Sequence, residues 1–243
     1  MSTPDPVASL DFYGSLFGWT WADASVDGYV NFYLGDRAVA GLRTAGPAVP
    51  PGWTPYVATD DADATIALAL DNGGSVLSGP GELSDAARIA VVADSTGAAI
   101  GVWQRRRFAG AQVANEFGTV CWSELATSAT TDATAFYGRV FGWSHRPAET
   151  ADGTPYTEWF REDRVLAGLI DIASWFADPV PSHWTVTMLV EDCAQTAARA
   201  LELGGKVQLT PTDIGAGMYA QLIDPQGAGF RILELDPDLA AAL

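Results

Sequence analysis

Cysteine and histidine each occur only twice, and lysine plus arginine number 13 against 30 acidic residues. Cys121 and Cys193 show no metal-ligand spacing and read as buried free thiols, so nothing points to an oxidising compartment. His145 and His183 leave few options for imidazole acid-base work. A formal charge of −17 repels phosphate backbones and anionic headgroups, which argues against nucleic acid and membrane partners. No apolar run approaches the ~20 residues that span a bilayer. The opening MSTPDPVASL has no basic segment ahead of an apolar core, as a secretion signal would. Ser-His-Asp spacing, a Gly-rich phosphate loop and a CxxC motif are also missing. The chain therefore reads as a cytoplasmic protein whose partner is a small molecule.

Aromatics and repetition are abundant. Nine tryptophans sit in a chain that is 48% hydrophobic, enough apolar material for real cores. Residues 10–19 read LDFYGSLFGW and residues 134–143 read TAFYGRVFGW, an offset of 124. NGGSV at 72–76 answers LGGKV at 203–207, GWT at 52–54 answers HWT at 183–185, and DSTGAAI at 94–100 answers DPQGAGF at 224–230. A repeat of half the chain means two copies of one domain rather than a solenoid of short units.

Within each copy the pattern is strand, helix and three strands, twice over. In the second copy, residues 118–127 have strand composition, and a helix follows with Ala133, Phe136, Tyr137 and Val140 on one face, ended by Gly142. The next unit opens at HWTVTMLV, runs through a helix over 192–203, and finishes with KVQLTP, MYAQLID and GFRILEL. The predicted fold is α+β: two tandem domains over 1–108 and 118–243, joined by a linker at 109–117. Each domain pairs two βαβββ units in curved mixed sheets around a cavity. Applying the offset places the opening strand of the first domain before or at residue 1, so that strand is expected to be missing, leaving an edge open to another chain.

FYGxxFGW after a Thr-rich turn, HW opening a strand, LGGKV after a helix and DPQGAGF before a last strand together resemble the vicinal oxygen chelate superfamily. That superfamily includes glyoxalase I, bleomycin-resistance proteins and extradiol dioxygenases. The tandem layout is most similar to actinobacterial glyoxalase-like proteins. The resemblance spans nearly the whole chain, and it implies the fold without fixing the reaction.

Metal-binding relatives take His, Gln or Glu ligands from the first strand of one unit and the first and last strands of the next. In the second domain those positions fall on Trp122, Thr185 and Arg231, which offer an indole, a neutral hydroxyl and a cation. In the first domain they fall on the missing strand, Thr54 and Gly101. No metal ligand set and no cofactor are therefore expected. The alternative is a divalent metal in a shifted register, with His183 and Glu124 brought together near Glu158 or Tyr219.

Glu124 shares strand parity with Trp122, and a carboxylate beside an indole in a closed cavity is a candidate general base. Set against this is a structural role, Glu124 paired with Arg231. The catalytic candidates are Glu124, His183 and Arg231, the last two polarising or orienting a substrate. Trp122, Thr185, Trp184, Tyr219, Trp159, Thr54, Tyr56 and Trp103 fall on strands expected to line the cavities and read as substrate-binding, and Trp53, Tyr29 and Tyr156 fall on such strands too. Glu234 and Gln104 occupy equivalent places at odd spacing and read as structural. Three readings remain open: transformation of a small carbonyl or aromatic metabolite, sequestration of an antibiotic or metabolite without chemistry, or a degenerate paralogue that serves as a scaffold. Two domains in one chain are compatible with a monomer, and an open edge with a homodimer.

Overall fold

The computed structural model describes residues 1–22, 28–46, 49–150, 153–173 and 180–240. It contains four βαβββ modules in succession. The first holds β1 (Ser2–Thr3), α1 (Pro6–Phe17), β2 (Thr20–Trp21), β3 (Tyr29–Leu34) and β4 (Arg37–Thr44). The second holds β5 (Tyr56–Thr59), α2 (Ala62–Asp71), β6 (Ser75–Leu83), β7 (Ala87–Ala93) and β8 (Ala99–Arg105). The third holds β9 (Val120–Thr127), α3 (Thr130–Phe141), β10 (Ser144–Glu149), β11 (Pro155–Arg161) and β12 (Arg164–Asp171). The fourth holds β13 (His183–Leu189), α4 (Cys193–Glu202), β14 (Lys206–Asp213), β15 (Gly217–Ile223) and β16 (Gly229–Leu235), followed by a short α5 (Pro237–Ala240).

In every module the opening strand pairs in parallel with the last strand, and the remaining pairs are antiparallel. The strand orders are β1-β4-β3-β2, β5-β8-β7-β6 and an eight-stranded β10-β11-β12-β9-β13-β16-β15-β14. The α+β expectation holds, with one correction. The opening strand of the first module is not wholly missing: Ser2 and Thr3 occupy its place, pairing with Arg43 and Thr44 as Ala126 and Thr127 pair with Ile170 and Asp171.

The chain packs as two compact units. The first comprises Met1–Trp53, Gly110–Cys121 and Val186–Leu243, the second Thr54–Ala109 and Trp122–Thr185. Each unit thus takes one module from each copy of the repeat. The repeated phrases account for this pairing. In the second unit the hydroxyl of Tyr137, on α3, donates to Asp94 Oδ2 at 2.8 Å and accepts from Trp184 Nε1 at 2.7 Å. The other Asp94 oxygen accepts from the main-chain N–H groups of Thr96 and Ala98, fixing the turn before β8. In the first unit Tyr13, Asp224 and Trp53 repeat the knot, with bonds of 3.0 and 2.9 Å. FYG, DxxGA and the strand-opening W are therefore one buried motif, assembled from opposite copies.

The helices cover one face of their sheets. Phe12, Tyr13, Phe32, Met188, Leu222 and Phe230 fill the core of the first unit, and Phe136, Tyr137, Trp159, Leu125 and Val102 that of the second. Gly18 and Gly142 end α1 and α3 with φ of 71° and 69°, the left-handed conformation in which a Cβ would be strained. Gln104 and Glu234 have the structural role expected of them, their side chains accepting from the first N–H of α2 and α4, at Ala62 and Cys193.

Residues 109–117, expected to be a plain linker, carry ordered contacts. The Gln112 N–H donates to the Ala38 carbonyl while its side chain accepts from the Ala38 N–H, and Val113 is buried in the first core. Glu116 forms a two-pronged pair with Arg37 at 2.6 Å.

Candidate ligand site

Alternation along a strand sends successive side chains to opposite faces. On β9, Leu125 enters the helix-side core, so Trp122 and Glu124 project from the open face. On β11, Trp159 is in that core, and Tyr156 shares the open face with Trp122 and Glu124. Trp122 Nε1 donates to the Tyr156 hydroxyl at 2.9 Å, and the Tyr156 hydroxyl donates to Glu124 Oε2 at 2.9 Å. The Thr185 hydroxyl donates to the main-chain oxygen of Glu124 at 3.3 Å, tying β13 to β9 at this point.

A glycine makes this chain of bonds possible. Gly168 on β12 pairs with both Glu124 and Glu158, so it lies on the path between Tyr156 and Glu124. A Cβ there would sit 1.6 Å from the Tyr156 hydroxyl oxygen. With no side chain in the way, the phenol lies across the strand and reaches the carboxylate. The same close approach recurs at Tyr29 over Gly41 and Tyr56 over Gly101. The isolated glycine inside the apolar run VLAGLID is the sequence signal for this close approach, while Tyr156 itself is expected only as one of the strand aromatics lining a cavity.

The other expected residues are distributed as follows. His183 opens β13, half-buried, with Nδ1 2.8 Å from the Pro181 carbonyl. A carbonyl only accepts, so Nδ1 carries a proton, and in the neutral ring the lone pair is on Nε2. Glu158 is engaged by Arg146 at 2.7 Å, beside the Phe160 ring. Tyr56 and Trp103 meet edge to face at 6.0 Å on the β5–β8 sheet, with Tyr56 41% exposed and Thr54 half-buried just ahead of it. Arg231 and Tyr219 belong to the first unit, where the buried Arg231 guanidinium lies over the Tyr219 ring at 5.5 Å and pairs in register with buried Thr187.

Two residues expected to line a cavity do not. Trp159 and Trp184 pack against Tyr137 and Trp143 on the helix side. Trp159 is three residues from Tyr156 and Trp184 one from Thr185, so strand alternation turns each away from the open face.

The electrostatics separate structural from reactive groups. Burial raises the Tyr137 and Tyr13 phenols well above their ordinary range, and the adjoining Asp94 and Asp224 add to the shift. Burial also lifts the Asp224 carboxyl. Cys121 is pushed by burial up to about 12 and Cys193 to about 11, the latter helped by Glu234 and Asp192, so neither thiol is a nucleophile at neutral pH. Among the described residues, no three His, Cys, Asp or Glu side chains gather as a metal ion requires. No described helix is long and apolar enough to cross a membrane.

Comparison with known proteins agrees with this architecture. The family described as Glyoxalase/Bleomycin resistance protein/Dioxygenase superfamily matches residues 1–132, and the Glyoxalase-like domain matches 122–233. CFP32 of Mycobacterium tuberculosis, whose name gives it as a candidate glyoxylase, is 39% identical over 250 residues, covering 98% of this chain and 93% of its own. The anthracycline biosynthesis protein DnrV of Streptomyces peucetius is 38% identical over 261 residues, covering 100% and 94%. Among solved structures, the Mn(II)-bound glyoxalase of Novosphingobium aromaticivorans aligns with a TM-score of 0.63 at 16% identity, covering 97% of this chain and 80% of that one. An extradiol ring-cleaving dioxygenase from B. fuscum aligns with a TM-score of 0.64 at 14% identity, covering 98% and 72%. Tandem repeat, module order and relatives agree, and the chain belongs to the glyoxalase/bleomycin resistance protein/dioxygenase superfamily.

Proposed function

We propose that the open face carrying Trp122, Tyr156 and Glu124 binds a small organic molecule with a carbonyl or aromatic group and transforms it by proton transfer. One observation carries the reading: a carboxylate held by a tyrosine hydroxyl, itself held by an indole N–H, beside half-buried ring surface. A positioned carboxylate of this kind acts as a general base, contributing ~10²–10⁴ in rate. On a substrate with a C–H next to a carbonyl, Glu124 takes the proton and the C–H electron pair moves into the new C=C bond. The carbonyl π pair moves to oxygen, and once Glu124 is protonated the Tyr156 O–H turns from Oε2 to that oxygen and donates there. His183 Nε2 supplies an acceptor for a substrate hydroxyl. The names of the relatives, a candidate glyoxylase and an anthracycline biosynthesis protein, fit a substrate of this class.

The test is turnover and binding of a panel of α-hydroxyketones and hydroxyanthraquinones, with binding followed by quenching of Trp fluorescence. Glu124→Gln should lower turnover by ~100-fold or more and leave binding in place. Turnover unchanged in that variant removes Glu124 from the chemistry.

A second reading, sequestration without chemistry, draws on Tyr56, an exposed ring set edge to face on the buried Trp103, as a surface for a flat ligand. It predicts that the bound compound is recovered unaltered. Conversion beyond one equivalent per chain rules it out.

A further inference from the structure

A divalent cation needs lone pairs converging on one point. At the first two positions that the family resemblance marks for ligands, this fold presents hydrogen atoms. The Trp122 indole nitrogen has no available lone pair, and its N–H is given to Tyr156. The Thr185 hydroxyl spends its hydrogen on the main-chain oxygen of Glu124. The third position, Arg231, is a buried cation in the first unit. Of the substitutes for a shifted register, Glu158 is paired to Arg146, and His183, with Nδ1 given to Pro181, adds at most one nitrogen, Nε2; among the described residues no three such side chains gather. The Glu124 carboxylate on this face already accepts from Tyr156.

We infer that the face around Glu124 is not a divalent-metal site, and that the chain Trp122 N–H to Tyr156 O–H to Glu124 stands where relatives of this fold hold a cation. The backbone that would carry ligands is retained, because the Thr185 bond to Glu124 keeps β9 and β13 side by side. The side chains have changed, not the frame. A proton takes over the tie to Glu124 that a metal would make.

The inference does not depend on the chemistry proposed for Glu124, and its test uses no substrate. The full-length protein is titrated with Mn(II), Ni(II) and Zn(II) by calorimetry, and its metal content is measured after equilibrium dialysis. The wild type should bind none of them with a Kd tighter than ~1 mM. Trp122→His combined with Thr185→His, which adds two imidazoles to Glu124, should bind Ni(II) or Zn(II) at least ~100-fold more tightly. One ion per wild-type chain, lost in Glu124→Gln, overturns the inference. A double variant that keeps its far-UV circular dichroism and binds no better than wild type overturns the assignment to these side chains. If that variant does not fold, the wild-type titration decides alone.

Discussion

The residue that does most for the second core is Tyr137, because its one hydroxyl satisfies both the Asp94 carboxylate and the Trp184 indole. Tyr137→Phe keeps the ring and orphans two buried polar groups, so it should cost about 2–4 kcal/mol in denaturant unfolding. The pH dependence follows from the raised phenol. Because the folded state favours the protonated form, the stabilisation is complete below the ordinary tyrosine value of about 10 and is lost as pH rises above it. Stability measured from pH 8 to 11 should fall, and should fall less steeply in Tyr137→Phe. At the open face the decisive residue is Gly168. Gly168→Ala pushes Tyr156 off Glu124 and should cost about 1–3 kcal/mol, with a smaller increment in a Tyr156→Ala background. Alternation made Trp122 and Glu124 legible as a pair in the sequence. The same rule would have separated Trp159 from Tyr156, but aromatic content pools the two faces. Tyr156 was legible as a strand aromatic, but its reach to Glu124 depends on a glycine on another strand, a contact that no local pattern states.

Among elements, the strap over residues 110–121 shows which forces hold a connection. Its ion pair is conspicuous, yet Arg37 and Glu116 are 44% and 50% exposed, and solvent screens such pairs so that they contribute little. Val113 is buried among Leu10, Trp19 and Val39 in the first core. Glu116→Ala should therefore barely move the melting temperature, whereas Val113→Ala should cost about 1–2 kcal/mol by loss of two buried methyl groups. Strand and helix order was readable because turn glycines, N-cap aspartates and apolar alternation all act locally. The strap was not, because FAGAQVANEF has no periodicity and its partners lie on β4.

At the scale of the whole molecule, charge and connectivity matter most. A net charge of −17 repels itself, and the ion pairs of Arg37, Arg88, Arg106, Arg107, Arg146 and Arg199 are largely exposed. Raising NaCl from about 10 mM to about 0.5 M shortens the screening length several-fold, so the melting temperature should rise. A fall would mean that the surface pairs outweigh the repulsion. Connectivity sets how the chain comes apart. Because each unit draws on both copies, Tyr137→Phe should lower hydrogen-exchange protection together across Thr54–Ala109 and Trp122–Thr185. Loss confined to 118–243 would mean that the copies open as separate bodies. The duplication was plain in the sequence, but which module packs with which was not, since identical phrases fit either partner equally well.

The crossed knots also bear on how such a gene can change. Deleting either copy would strand a buried tyrosine in the survivor, so a copy is retained even if it binds nothing. Asp94 answers to Tyr137 and Asp224 to Tyr13. Variation in one copy is thus judged by the other, and divergence is left to the open faces, where a Glu124 can arise on one side alone.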